Sequence, residues 1–220
     1  MHLPPASPAG RARRVATVRE RMLFRPLIAI SLTATLLSAC DKVPDLTAYL
    51  PAGLQPAMGW DASPEATTWT SRTLTAVAAH DEQLSLTVPD DIATFCPGYA
   101  NAPIGHRRAF WAGLLSATAK YESGHNPTAA GGGGRYIGLM QISPRTAQHY
   151  GCDADSSAEL KDGAANLECA VRIAAPNIGS DGMVAGSGNR GIARDWGPFK
   201  KKSTRAEIAA WTSAQSYCRA

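Results

Sequence analysis

Strand patterns are nearly absent from this sequence: the one clear alternating run, QLSLTV over residues 83–88, is short. An all-β sandwich or barrel, which needs many such runs, is thereby excluded. There is no internal repeat, which excludes a solenoid or propeller. The longest apolar run, Leu27 to Leu37, is too short to span a bilayer as a stop-transfer helix. No two cysteines sit at the close spacing of a zinc site, so neither a metal nor any other cofactor is expected. An excess of basic charge is also missing from the body of the chain. The 22 basic and 18 acidic residues fall to 16 and 17 once the six arginines and one glutamate of residues 1–39 are set aside. Without a basic face to neutralise phosphates, a nucleic-acid partner is excluded.

What is present begins with that arginine-rich leader. Arg19, Arg21 and Arg25 precede the apolar run, which has the length of a signal peptide's apolar segment and closes on Leu37-Ser38-Ala39-Cys40. This ending resembles a bacterial lipobox, which implies cleavage before Cys40 and a diacylglycerol on its sulfur. Residues 1–39 are therefore read as a lipoprotein signal peptide. Met22 offers an internal start that would make residues 1–21 an extension. An ordinary secretion signal with an incidental cysteine is the alternative. The expected location is the periplasmic face of a bacterial membrane, with the membrane engaged through the N-terminal lipid.

Residues 40–64 are rich in proline and glycine and show no clear period, which reads as a flexible tether. Residues 65–220 then form one domain, with the ordinary globular content of 45% hydrophobic and 18% charged residues. A monomer is expected. Four cysteines remain after Cys40, and an even number in an exported domain suggests two disulfides. Of the three pairings, Cys152 with Cys169, closing a short loop, and Cys96 with Cys218, tying the chain's end to the domain's start, are favoured over free thiols.

The domain reads as mainly α. Helices are expected over 66–80, 90–95, 103–122, from Ser143-Pro144 through Tyr150, from Asp162 to about Ala175, and at the end of the chain. In the long third helix Phe110, Trp111, Leu114 and Leu115 recur on one face. Gly124 terminates it and Pro127 forbids its continuation. Ser143 followed by Pro144 is an N-cap with a first-turn proline. Residues 177–191 read as a loop, and Thr204-Arg205-Ala206-Glu207 as a capping box opening the last helix, which bears Ile208 and Trp211. The stretch RYIGLMQI beside Gly131 to Gly134 reads as a small strand or ribbon.

One residue is out of place for stability alone. Glu122 sits in the last turn of the long helix, where the macrodipole's negative end disfavours a carboxylate. Burial against aromatics pushes in the same direction, so both raise its pKa above the usual value of about 4.3 toward that of a group that can donate a proton near neutrality. Tyr121, Met140 and Ile142 are candidates for its lining.

Glu122-Ser123-Gly124-His125-Asn126-Pro127, followed by Gly138-Leu139-Met140-Gln141-Ile142-Ser143-Pro144 and Thr146-Ala147, resembles the soluble lytic transglycosylase domain of the lysozyme-like superfamily, over roughly residues 105–175. The resemblance implies a mainly α, lysozyme-like fold with a small β element beside the catalytic helix. It also implies peptidoglycan glycan strands as the partner, and Glu122 as the single acid/base. In that role Glu122 would cleave the β-1,4 bond between N-acetylmuramic acid and N-acetylglucosamine, leaving a 1,6-anhydro end. Substrate contacts are implied for Met140 and Gln141. Tyr136 is a candidate for stacking on a sugar, and Ser123 for holding Glu122 by a hydrogen bond. His125 is a bystander. A hydrolytic muramidase and a non-catalytic peptidoglycan-binding lipoprotein are the alternatives.

The A-Y-N element carried by many members on a later helix is missing. The nearest stretch is GIARDWGPF. Either Asp195 or Trp196 takes over part of its task or the far wall of the groove is built differently, and a hydrolytic outcome with Asp195 positioning a water stays open.

Overall fold

Residue for residue from Ala109 to Ala119, the long third helix is buried on every side. In this computed structural model, which describes residues 55–186 and 188–219, five further helices and one two-stranded sheet accompany it. The expected signal peptide, the expected lipidation site at Cys40 and most of the expected tether lie outside the described residues. In chain order the elements are α1 (Ala66–Ala79), α2 (Ile92–Phe95), α3 (Ile104–Ser123), β1 (Ala130–Gly131), β2 (Tyr136–Ile137), α4 (Pro144–Tyr150), α5 (Gly163–Asp181) and α6 (Lys202–Ser213). Short 3-10 turns fill several of the connections. None of the described helices is long and apolar enough to cross a membrane. The mainly α reading holds, with the sheet placed just after α3.

The sequence suggested one apolar face on α3, and Phe110, Trp111, Leu114 and Leu115 are indeed buried. Small residues bury the opposite side as well. At Gly113 any Cβ would collide with the Tyr217 hydroxyl, so this glycine lets the C-terminal turn lie directly on the helix. α3 therefore packs against α1 on one flank and α6 and the C-terminal turn on another, while α1 also packs on α5. Each large apolar side chain buried this way contributes about 1.5–3 kcal/mol. Polar side chains inside the core form chains of hydrogen bonds, the Trp111 indole donating to the Tyr99 hydroxyl (2.8 Å), which donates onward to the Leu84 carbonyl (3.0 Å), while the buried Ser85 hydroxyl has no partner among the described residues.

Both favoured disulfides are present. Cys96 and Cys218 have Cα atoms 4.7 Å apart, and Cys152 and Cys169 5.2 Å apart.

The structure corrects several boundaries. The tether expected over 40–64 is shorter, because Met58 and Trp60 are core residues. The Trp60 indole donates to Thr70 Oγ1 (2.9 Å) and meets Trp69 edge-on, while the Gly59 amide donates to Ser116 Oγ (2.8 Å). QLSLTV forms no strand. Its backbone turns back on the end of α1, with Leu84 N–H donating to the His80 carbonyl and Leu86 N–H to that of Asp81, and no partner strand pairs with it. α2 starts late because the Asp91 carboxylate is occupied by the amides of Val184 and Ala185.

α5 runs six residues beyond its expected end, through Pro176, to a left-handed cap at Gly182. The missing proline N–H and its steric clash cost about 3 kcal/mol. Burial of Ile178 on the continuing apolar stripe offsets that cost. The capping box is absent as well. α6 begins at Lys202, with Thr204 already inside the helix, and Glu207 instead accepts a hydrogen bond from the Tyr121 hydroxyl (2.6 Å).

Candidate active site

α3 ends as the sequence requires. Gly124 adopts φ 61° and returns its N–H to the Lys120 carbonyl, and His125 follows at φ 62° with its N–H on Ala119. Asn126 then closes a turn by accepting from the amide and hydroxyl of Thr128. The bystander His125 acts as a strut, its ring Nε2 lying 2.9 Å from the Ser116 carbonyl.

Glu122 sits at this terminus, half-buried. No hydrogen bond or ion pair reaches its carboxylate among the described residues. Burial pushes its pKa up to about 7. A carboxyl with that value is protonated in about half of the molecules at neutral pH, which suits a proton donor.

The turn beside it is fastened from three directions. β1 and β2 pair antiparallel, Ala130 with Ile137 and Gly131 with Tyr136, and residues 137 and 142 exchange backbone hydrogen bonds at 3.0 and 2.9 Å. Between them Gly138 (φ 79°) and Gln141 (φ 48°) turn the chain through left-handed conformations. Ser123 Oγ donates to the Leu139 carbonyl (2.9 Å), joining the end of α3 to the turn. The buried Trp196 indole donates to the Met140 carbonyl (2.9 Å). From α5, Asn166 accepts from the Met140 amide (2.8 Å) and donates to the carbonyls of Ile137 (3.0 Å) and Leu160 (2.9 Å). A Cβ at Gly138 would run into Leu160 and Asn166, so glycine is required there.

The residues expected to surround Glu122 divide accordingly. Ser123 bonds the Leu139 and Ala119 carbonyls rather than Glu122, so it positions the turn and does not hold the carboxylate. The Met140 side chain is wholly buried, and packing explains it. The Gln141 side-chain amide braces the hairpin by donating to Gly138 (2.9 Å) and Ala129 (3.3 Å). Tyr136 is 43% exposed and free to meet a ligand. Ile142 is buried beside the turn. Tyr121 is turned away to Glu207, and with Lys120, His125 and Trp211 it lines a cavity of about 560 Å3 that Glu122 does not line.

Asp195 and Trp196 share the missing element's region without sharing a task. Trp196 holds the turn. The Asp195 Oδ2 accepts from the Asn177 amide (2.7 Å), which also lies 3.2 Å from the Tyr150 hydroxyl. Desolvation raises the Asp195 carboxyl, opposed in part by Asn177 and by the charge of Lys200.

Sequence reasoning missed Asn166 and Asn177. Asn166 carried a signal: four residues into α5 it stands next to the inward Leu167, and a buried amide at such a place must have partners. Among the described residues no group of three His, Cys, Asp or Glu is placed to hold a metal ion.

This constellation of a helix-terminal glutamate and a braced G-L-M-Q turn coincides with a family match over residues 102–209, to the Transglycosylase SLT domain. Residues 102–209 are an SLT domain. No curated protein matches the chain. Among solved structures it is similar to Bd0314 DslA at 27% identity. A glutamate-to-glutamine mutant of that protein superposes with a TM-score of 0.68, the wild-type form 2 with 0.67, and a second glutamate-to-glutamine mutant with 0.66. Each alignment covers 75% of this chain and 99% of the other. The SLT match supports transglycosylase-type activity on peptidoglycan strands, and the shared fold of these neighbours is consistent with a lysozyme-like architecture.

Proposed function

We propose that the protein is a lytic transglycosylase that cuts the β-1,4 bond between N-acetylmuramic acid and N-acetylglucosamine with Glu122 as its single acid and base. The observation that carries this reading is the unpaired, half-buried Glu122 carboxyl at the end of α3, raised to about 7 and one residue from the Ser123 link to the Leu139 carbonyl. The protonated carboxyl gives its proton to the glycosidic oxygen as the bond to the anomeric carbon breaks. The N-acetyl group of the same sugar shares the positive charge. The carboxylate then takes the proton of the sugar's 6-hydroxyl while that oxygen bonds the anomeric carbon. Glu122 regains its proton, a 1,6-anhydro end forms and no water is consumed. Tyr136, open to solvent on β2, offers a face for a sugar ring.

The reading includes export and anchoring by lipid on Cys40, at the periplasmic face of a bacterial membrane, with the domain acting as a monomer. The test is product mass after incubation of the purified protein with peptidoglycan. Sugar ends one water lighter than hydrolysis products support the transglycosylase, ordinary reducing ends would make it a muramidase, and uncut strands would make it a binder. Glu122→Gln, which keeps size and loses the proton, should abolish turnover without unfolding the protein.

A further inference from the structure

Glu122 and Asp195 stand in parallel positions. Each immediately precedes a residue that grips the same turn: Ser123 on the Leu139 carbonyl and Trp196 on the Met140 carbonyl, both at 2.9 Å. Consecutive peptide units of one turn are thus held by the residues that directly follow two acidic ones, one on α3 and one in the segment after α5. We propose that Asp195, clamped by Asn177, is a substrate-contacting residue that hydrogen-bonds a hydroxyl of the glycan across the turn from Glu122. This rests on the glycan-cleaving reading above.

The polar atoms around Asp195 are set out for such a ligand. Its Oδ2 is satisfied by Asn177, while Oδ1 takes no hydrogen bond among the described residues. The Tyr150 hydroxyl lies 3.2 Å from the same Asn177 nitrogen, and its own proton meets no acceptor among the described residues. An open carboxylate oxygen beside an open hydroxyl donor is complementary to sugar hydroxyls, each of which both donates and accepts. The bond to Asp195 is charge-assisted, the stronger kind.

A purely structural role does not account for Asp195. No salt bridge reaches it among the described residues: its neighbour Arg194 is engaged by Asp181, with Nε donating to Oδ2 at 2.8 Å. The turn at 191–194 is already fastened to α5 without Asp195, since Asp181 also accepts from the Gly191 amide at 2.6 Å. Where that turn ends, Asp195 caps it with its backbone N–H, on the Ile192 carbonyl at 3.3 Å, and its carboxylate takes no part in the cap.

The test uses the full-length protein with Glu122→Gln, so that the strand is bound and not cut, and titrates it with chitotetraose by calorimetry. Adding Asp195→Ala is expected to weaken binding about tenfold or more, with the melting temperature unchanged. Asp195→Asn should recover part of the loss, because the amide keeps an acceptor. Tyr150→Phe should produce a smaller loss of the same kind. An Asp195→Ala affinity equal to that of its parent overturns the proposal and leaves the glycan-cleaving reading intact. So does an affinity loss that merely tracks a fall in melting temperature, which would make Asp195 a structural tie. Failure of the Glu122→Gln parent to bind chitotetraose removes both.

Discussion

The Trp196 indole nitrogen lies 2.9 Å from the Met140 carbonyl oxygen, a buried hydrogen bond between residues 56 apart in sequence. Through it the segment after α5 sets the height of the turn beside Glu122. Trp196→Phe keeps an aromatic ring there and leaves that carbonyl without a partner. A loss of about 1–3 kcal/mol is expected in urea unfolding. The fall in kcat on peptidoglycan should persist at temperatures where the variant is fully folded, because the turn loses its register against α3.

Glu122 gives the protein a pH signature. Its pKa is about 4.5 in the unfolded chain and about 7 in the folded one. Between those values the native state holds a proton that the unfolded state has released, so stability declines as pH rises through this window. The whole decline is at most about 3 kcal/mol. Glu122→Gln cannot ionise, so its thermal stability relative to wild type should rise from pH 4.5 to pH 8. In wild type, kcat/KM should drop above pH 7 as the acid loses its proton. A flat profile from pH 6 to pH 9 would contradict Glu122 as the donor.

Gly138 and Asn166 form a single fitting. Gly138→Ala brings a methyl group into Asn166 at a left-handed φ of 79°, and Asn166→Ala orphans the Met140 amide, takes the Asn166 donor from the Leu160 carbonyl and leaves the Ile137 carbonyl with the Ile142 N–H alone. Each change is expected to cost more than about 2 kcal/mol and to remove most activity. Melting curves and a peptidoglycan-clearing assay on both variants check this.

The two disulfides should differ in weight. Cys96 and Cys218 are 122 residues apart, against 17 for Cys152 and Cys169. Chain-entropy reasoning assigns about 4–5 kcal/mol to the first and about 3 kcal/mol to the second. Replacing Cys96 and Cys218 by serine should therefore lower the melting temperature further than replacing Cys152 and Cys169.

Local chemistry with few alternatives was legible before any coordinates. Gly124 and Pro127 fixed where α3 stops and hence where Glu122 stands, and the Ser143 cap, with its oxygen on the Thr146 amide, fixed where α4 starts. What escaped was decided by distant partners. Thr204 to Glu207 has the spelling of a capping box, but Tyr121, 86 residues upstream, takes the glutamate. The pattern ends α5 at about Ala175, but burial of Ile178 carries the helix on through Pro176. Trp60 looks like part of a tether until Thr70 and Trp69 are seen to enclose it. In the site, the glutamate and the turn were visible as motifs. Asn166, Asn177 and the grip of Trp196 belong to later segments that meet the turn only in three dimensions.

The Tyr217 hydroxyl donates to the Ala57 carbonyl at 3.2 Å, next to the Cys218 bridge. The two ends of the folded body therefore share one anchorage. A mechanical load applied upstream of residue 55 passes at Ala57 into the C-terminal turn and across a covalent bond to Cys96. The Gly59 amide, held by Ser116 Oγ, passes part of that load into α3 as well, so tension reaches the helix that bears Glu122 without crossing the hydrogen bonds that hold the 138–141 turn.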